Sequence, residues 1–69
     1  MKITYDKQAD AMYIYFRKGE VSKTAKVSSN VLIDLDITGN ALGMELLGVS
    51  KQMSKKEIGR VQIEMPVYS

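Results

Sequence analysis

Two runs of strict alternation stand either side of Thr38-Gly39-Asn40, and they constrain this chain more than any other feature. From Val31 to Ile37, the residues Ile33, Leu35 and Ile37 point one way while Leu32, Asp34 and Asp36 point the other. From Ala41 to Leu47 the sense reverses, with Leu42, Met44 and Leu46 set against Gly43, Glu45 and Leu47. A period of two belongs to strands, and a Gly-containing break between two such strands belongs to a hairpin. Two registers keep the apolar rows on one face. A Gly39-Asn40 loop pairs Leu35 with Met44 and Asp34 with Glu45, whereas a Thr38-Gly39 loop pairs Leu35 with Leu42 and Asp34 with Gly43. A slip of one residue would turn the carboxylates into the core, which excludes it. The Gly-first loop is preferred, because a type II′ turn takes Gly at its first central position.

Other segments extend the sheet. Lys2-Ile3-Thr4-Tyr5 alternates and predicts a short first strand. Ala11 to Phe16 predicts a second, with Met12, Ile14 and Phe16 on one face and Tyr13 and Tyr15 on the other. Both of its faces are apolar, so it must lie centrally or be covered. Arg17-Lys18-Gly19-Glu20 reads as a charged turn, and Thr24 to Val27 as a weaker edge strand. Beyond Ser50 the pattern changes. Ser54 and Glu57 have the spacing of a capping box and predict a short helix over residues 54–60, ended by Gly59. Val61 to Met65 alternates again and predicts a last strand stopped by Pro66, with a helix through the same stretch as the competing reading.

The expected fold is therefore α+β: a small antiparallel sheet of four to five strands with one short C-terminal helix. It forms a single domain over residues 1–69, with the sheet core in 1–50 and the helix and last strand in 51–69. The core row is Ile3, Met12, Ile14, Phe16, Ile33, Leu35, Ile37, Leu42, Met44 and Leu46. The second apolar row (Tyr13, Tyr15, Leu32 and Leu47) is too large to leave wet on so small a protein. Its expected cover is the C-terminal segment, through Val61, Ile63 and Met65, or a second copy of the chain. These seven residues are the interface candidates.

A chain of 69 residues buries a modest fraction of its surface and commonly needs a disulfide, a metal or an oligomer to be stable. It has no Cys and no His, so disulfides, thiolate sites, imidazole ligands and every Cys- or His-based catalytic arrangement are absent. Self-association, most simply a homodimer, is the expected remedy. The balance leans against an enzyme, and no cofactor is implied. An early Asp6 argues against a signal peptide, no apolar run reaches the length of a membrane helix, and the lack of Cys suits a reducing compartment, so a cytoplasmic protein is expected. The net charge of +2 arises in the tail: residues 1–50 hold six basic and six acidic side chains, residues 51–69 four and two. That surplus is small for a protein that tracks phosphates.

Two constellations could carry chemistry. Asp34, Asp36 and Glu45 share a strand face and are the candidate ligands for a hard cation such as Mg²⁺ or Ca²⁺, or for paired acid-base work. The simpler reading makes them the solvent side of a half-buried hairpin, with Lys23 or Lys26 beside them. Tyr13 and Tyr15 could stack on bases while Arg17 and nearby lysines meet phosphate, although strand tyrosines more commonly pack in a core or interface.

Tyr5-Asp6, Ala9-Asp10-Ala11-Met12-Tyr13-Ile14, Asp34-x-Asp36 with Gly39, and Gly43-Met44-Glu45-Leu46-Leu47 with Ser50 together resemble a small prokaryotic family, domain of unknown function 2283. The resemblance covers residues 2–51. It implies a β-rich fold with a short C-terminal helix and brings no activity or cofactor. It also implies an antitoxin-like or other binding role, since some similar proteins are encoded beside small toxin-like proteins. Within these blocks Gly39 serves the turn, Gly43 lets a ring or backbone approach closely, and Ala9-Asp10 shapes the start of the second strand. The expected function is a protein-interaction module acting as a homo-oligomer. The alternatives are a nucleic-acid-binding autoregulatory protein and a carboxylate metal enzyme.

Overall fold

In the computed structural model, which describes residues 1–64, seven elements follow one another. They are β1 (Lys2–Asp6), β2 (Ala11–Tyr15), β3 (Lys23–Ser28), β4 (Val31–Leu35), β5 (Ala41–Leu47), α1 (Val49–Gln52) and α2 (Lys55–Ile58). All neighbouring strands run antiparallel, and the order across the sheet is β1-β2-β5-β4-β3. The last strand in sequence thus lies at the centre, between two hairpins made earlier. β2 lies inside the sheet, with β1 paired along one edge and β5 along the other.

Short polar side chains set the turns. Asp6 accepts from the backbone N–H of Gln8 and Ala9 at 3.0 and 3.2 Å, closing the β1–β2 connection. In the β4–β5 connection the Asp36 N–H donates to the Asn40 carbonyl and the Gly39 N–H to the Asp36 carbonyl. This is a three-residue loop with Gly39 at φ +88°, a left-handed geometry that Gly adopts without penalty. The preferred Gly39-Asn40 register is therefore corrected. Asp34 pairs with Gly43 and Ile33 with Met44, the register of the other reading, and Leu35 pairs with Ala41 across a bulge. The reason lies in Asp36, whose carboxylate holds the N–H groups of both Thr38 and Asn40 and so favours the longer loop.

Cross-strand register assembles one apolar face. Ile3, Ile14, Met44, Ile33 and Ala25 stand in a single row across all five strands, and Tyr5, Met12, Leu46 and Val31 form the next. Yet among the described residues only Met12, Leu42 and Val49 are buried apolar side chains. Ile14, Val31, Ile33, Leu35, Met44 and Leu46 are half-buried, and Ile3 and Phe16 are exposed. Ile37, expected in the core row, is 89% exposed because the loop begins at it rather than beyond it. Leu42 is buried at the bulge, with Gly19 of the long β2–β3 connection lying against its side chain.

The C-terminal region departs from expectation in two ways. The helix begins as predicted, with the Ser54 hydroxyl accepting from the Glu57 N–H at 3.2 Å, but a second short helix, α1, precedes it. Its first turn is tied to the β1–β2 connection by the Val49 N–H donating to the Asp10 carbonyl, a long-range contact no local pattern announces. Residues 61–64 form no strand and are exposed, so Val61 and Ile63 cover neither face of the sheet. They pair with neither outer edge of the sheet, β1 or β3. Met65 lies outside the described residues. Among the described residues no helix is long and apolar enough to cross a membrane.

Candidate functional site

The sheet face opposite the Ile3–Ile14–Met44–Ile33 row carries the candidate residues. Tyr13 on β2 is directly opposite Glu45 on β5, and its ring runs diagonally over Gly43 to reach β4, where its hydroxyl donates to Asp34 Oδ2. From the far side the Thr24 hydroxyl donates to Asp34 Oδ1 at 2.7 Å. One carboxylate thus receives a donor from β2 and another from β3, and the link spans four strands. The crossing requires a residue without a side chain beneath it. A β-carbon on Gly43 would lie 2.6 Å from Tyr13 Cε1 and 2.7 Å from its oxygen. Tyr15 follows on the same face, its ring centroid 4.3 Å from that of Tyr13 and tilted by 46°. Lys2 Nζ stands 5.9 Å from the Tyr15 centroid.

Burial, reinforced by the adjacent Asp34 carboxylate, pushes the Tyr13 phenol up to about 12. Tyr13 therefore stays protonated at neutral pH and acts as a fixed donor. Asp36 is drawn down to about 2, chiefly by the Asn40 N–H and then by the Thr38 hydroxyl. Its Oδ1 accepts from the Thr38 N–H, the Thr38 hydroxyl and the Asn40 N–H, while Oδ2 accepts from Arg17 at 2.9 Å. The cations expected beside these carboxylates were Lys23 and Lys26. The partner Asp36 takes is Arg17, brought close by the β2–β3 connection, and Asp34 takes hydroxyls instead.

Asp34, Asp36 and Glu45 are consequently not brought together. Asp34 is committed to Tyr13 and Thr24, Asp36 to its turn, and Glu45 lies between Tyr13 and Leu32. Among the described residues no group of three His, Cys, Asp or Glu side chains is arranged to hold a metal ion. Of the interface candidates, Tyr13, Tyr15, Leu32 and Leu47 do share this face, half-buried apart from the more exposed Tyr15.

A second cluster stands at the other end of β2. Asp10, at φ +52°, accepts from the Tyr5 hydroxyl at 2.6 Å, the Ser50 hydroxyl at 2.7 Å and the Ser50 N–H at 3.0 Å. The Tyr5 hydroxyl and then Ser50 hold its carboxyl below the usual range, and the same bond raises the Tyr5 phenol. Asp10 thereby latches β1 to the start of α1. Ser50 is 40 residues away from it in sequence, which is why the pairing is invisible in the chain alone.

A model of the family described as Protein of unknown function (DUF2283) matches residues 2–50, well over half of the chain. The chain belongs to that family. The DUF2283 match spans β1 through β5 and ends on Ser50, so it takes in both the Tyr13–Asp34–Gly43 crossing and the Tyr5–Asp10–Ser50 latch. No curated protein matches the chain, and no solved structure does.

Proposed function

We propose that this chain is a protein-interaction module that self-associates through the apolar face of its sheet. The observation that supports the reading is the open row Ile3–Ile14–Met44–Ile33, in a fold whose described residues include only three buried apolar side chains. The accessible surface is 5770 Å², against about 4,300 Å² for a typical folded monomer of this mass. Part of that surface is the exposed stretch 59–64, and part is the two faces of a sheet that has no second layer over it. In this reading the residues needing a cover are those of the Ile/Met row rather than the tyrosine face. An antitoxin-like role, implied by the family resemblance, would set a small partner protein on the same row, where it would compete with the second copy.

Sedimentation velocity tests the proposal. The wild-type chain is expected to sediment as a dimer at micromolar concentration. Met44→Glu at the centre of the row, and Ile3→Glu at its exposed end, are expected to give folded monomers. Ile3→Glu is the control against simple unfolding, because its side chain is exposed in the single chain. A folded wild-type monomer at that concentration refutes the reading.

A further inference from the structure

A cavity of about 640 Å³ opens at the end of β2, where the β2–β3 connection leaves the sheet. Its size falls within the roughly 300–1,000 Å³ of pockets that hold small organic ligands. Tyr13, Tyr15 and Phe16 supply aromatic walls, and Lys2, Arg17 and Lys18 supply cations. Among the described residues no carboxylate lines it. That asymmetry is local: residues 1–50 are balanced overall, six basic against six acidic, yet Lys2 and Lys18 line this cavity beside Arg17, whose own partner, Asp36, does not line it. Tyr13 is held in place by Asp34, and Arg17 by Asp36, so part of the wall is fixed before any ligand arrives. Tyr15 is 46% exposed and presents a ring to solvent beside the Lys2 ammonium.

We infer that this cavity binds a planar aromatic ring bearing an anionic group, the chemistry of a nucleobase with its phosphate. The ring stacks on Tyr15, and Lys2 and Lys18 meet the phosphate. The inference goes beyond self-association and rests on Lys2, Tyr15 and Lys18, none of which belongs to the Ile3–Ile14–Met44–Ile33 row. A free mononucleotide and a single-stranded nucleic acid both offer this chemistry, and the experiment separates them.

Adenosine 5′-monophosphate, adenosine and oligothymidylate are titrated into the full chain, followed by amide chemical shifts and calorimetry. Saturable binding of the monophosphate, with shifts at Lys2, Tyr15 and Lys18, is expected. Tyr15→Ala should weaken it by about 5- to 150-fold, the range for removing one stacked base, while Tyr15→Phe retains it. Lys2→Ala with Lys18→Ala should weaken the monophosphate but not adenosine. Oligothymidylate binding that is much tighter and falls steeply with salt identifies a single strand as the source, and binding no tighter than the monophosphate identifies the free nucleotide. Adenosine binding as tightly as its monophosphate overturns the inference. So does unchanged affinity in a Tyr15→Ala chain of native circular dichroism, or no saturable binding of either anionic probe at millimolar concentration.

Discussion

Replacing Gly43 by Ala is the sharpest test of the crossing that organises the tyrosine face. In a strand interior this substitution ordinarily stabilises, by roughly 0.5–1 kcal/mol, because Gly loses more backbone freedom on folding. Gly43 has no positive φ, so its backbone would accept Ala without strain. Space decides the sign. The new methyl would lie 2.6 Å from Tyr13 Cε1 and 2.9 Å from the Ile14 carbonyl oxygen, and the latter is backbone held in the β2–β5 ladder. Tyr13 must swing away and release Asp34. Overpacking costs about 1–3 kcal/mol. A lost hydrogen bond to a carboxylate, discounted here for partial exposure, adds about 1 kcal/mol. Offset by the backbone gain, the net destabilisation is about 1–3 kcal/mol. A chain of this length has roughly 3–10 kcal/mol in total, so the loss is a large share and should lower Tm by about 4–8 °C per kcal/mol. Urea unfolding followed by circular dichroism, at one fixed protein concentration, measures it. In a Tyr13→Ala background most of the penalty should vanish, giving a coupling of at least about 1 kcal/mol. A neutral or stabilising Gly43→Ala in the wild-type chain would refute the reasoning.

Further expectations concern the latch, the β4–β5 turn and α2. Asp10→Ala should lower Tm more than Asp10→Asn, since Asn tolerates positive φ and keeps an acceptor for Ser50; melts in the reverse order would show that the latch does not act through Asp10. Asp36 has a depressed folded-state pKa, so its contribution is full above about pH 4 and lost as pH falls towards about 2. Asp36→Ala should therefore flatten part of the acid limb of stability in that window, as read from urea midpoints against pH. Ser54→Ala should speed hydrogen exchange at the Glu57 amide while leaving global unfolding nearly unchanged, because α2 holds no buried residue.

Alternation made β1, β2, β4 and β5 legible, and the weaker stretch around Thr24 to Val27 became β3. What it left open was register, because both candidate hairpin loops preserved the apolar face. The choice fell to hydrogen bonds from Thr38 and Asn40 to Asp36, which periodicity does not encode. Val61–Glu64 shows the opposite failure: a period of two describes a segment that could pair, yet it pairs with neither β1 nor β3. Within the tyrosine face, Gly43 was the legible signal that a ring comes close. That the ring is Tyr13, and that it travels on to Asp34, depends on β5 standing between their strands. The Asp10–Ser50 latch depends in the same way on tertiary proximity, so its two halves read separately as a turn residue and a loop residue.

The central place of β5 also bears on how the sheet can assemble. Before β5 docks, the chain can form only the β1–β2 and β3–β4 hairpins, and isolated two-stranded hairpins are marginal in water. Nothing yet joins them, since every ladder between the two halves runs through β5. Docking of seven residues, Ala41 to Leu47, joins two marginal hairpins into one sheet. A premature stop upstream of Ala41 would accordingly yield a chain with no native-like remnant for a protease to spare.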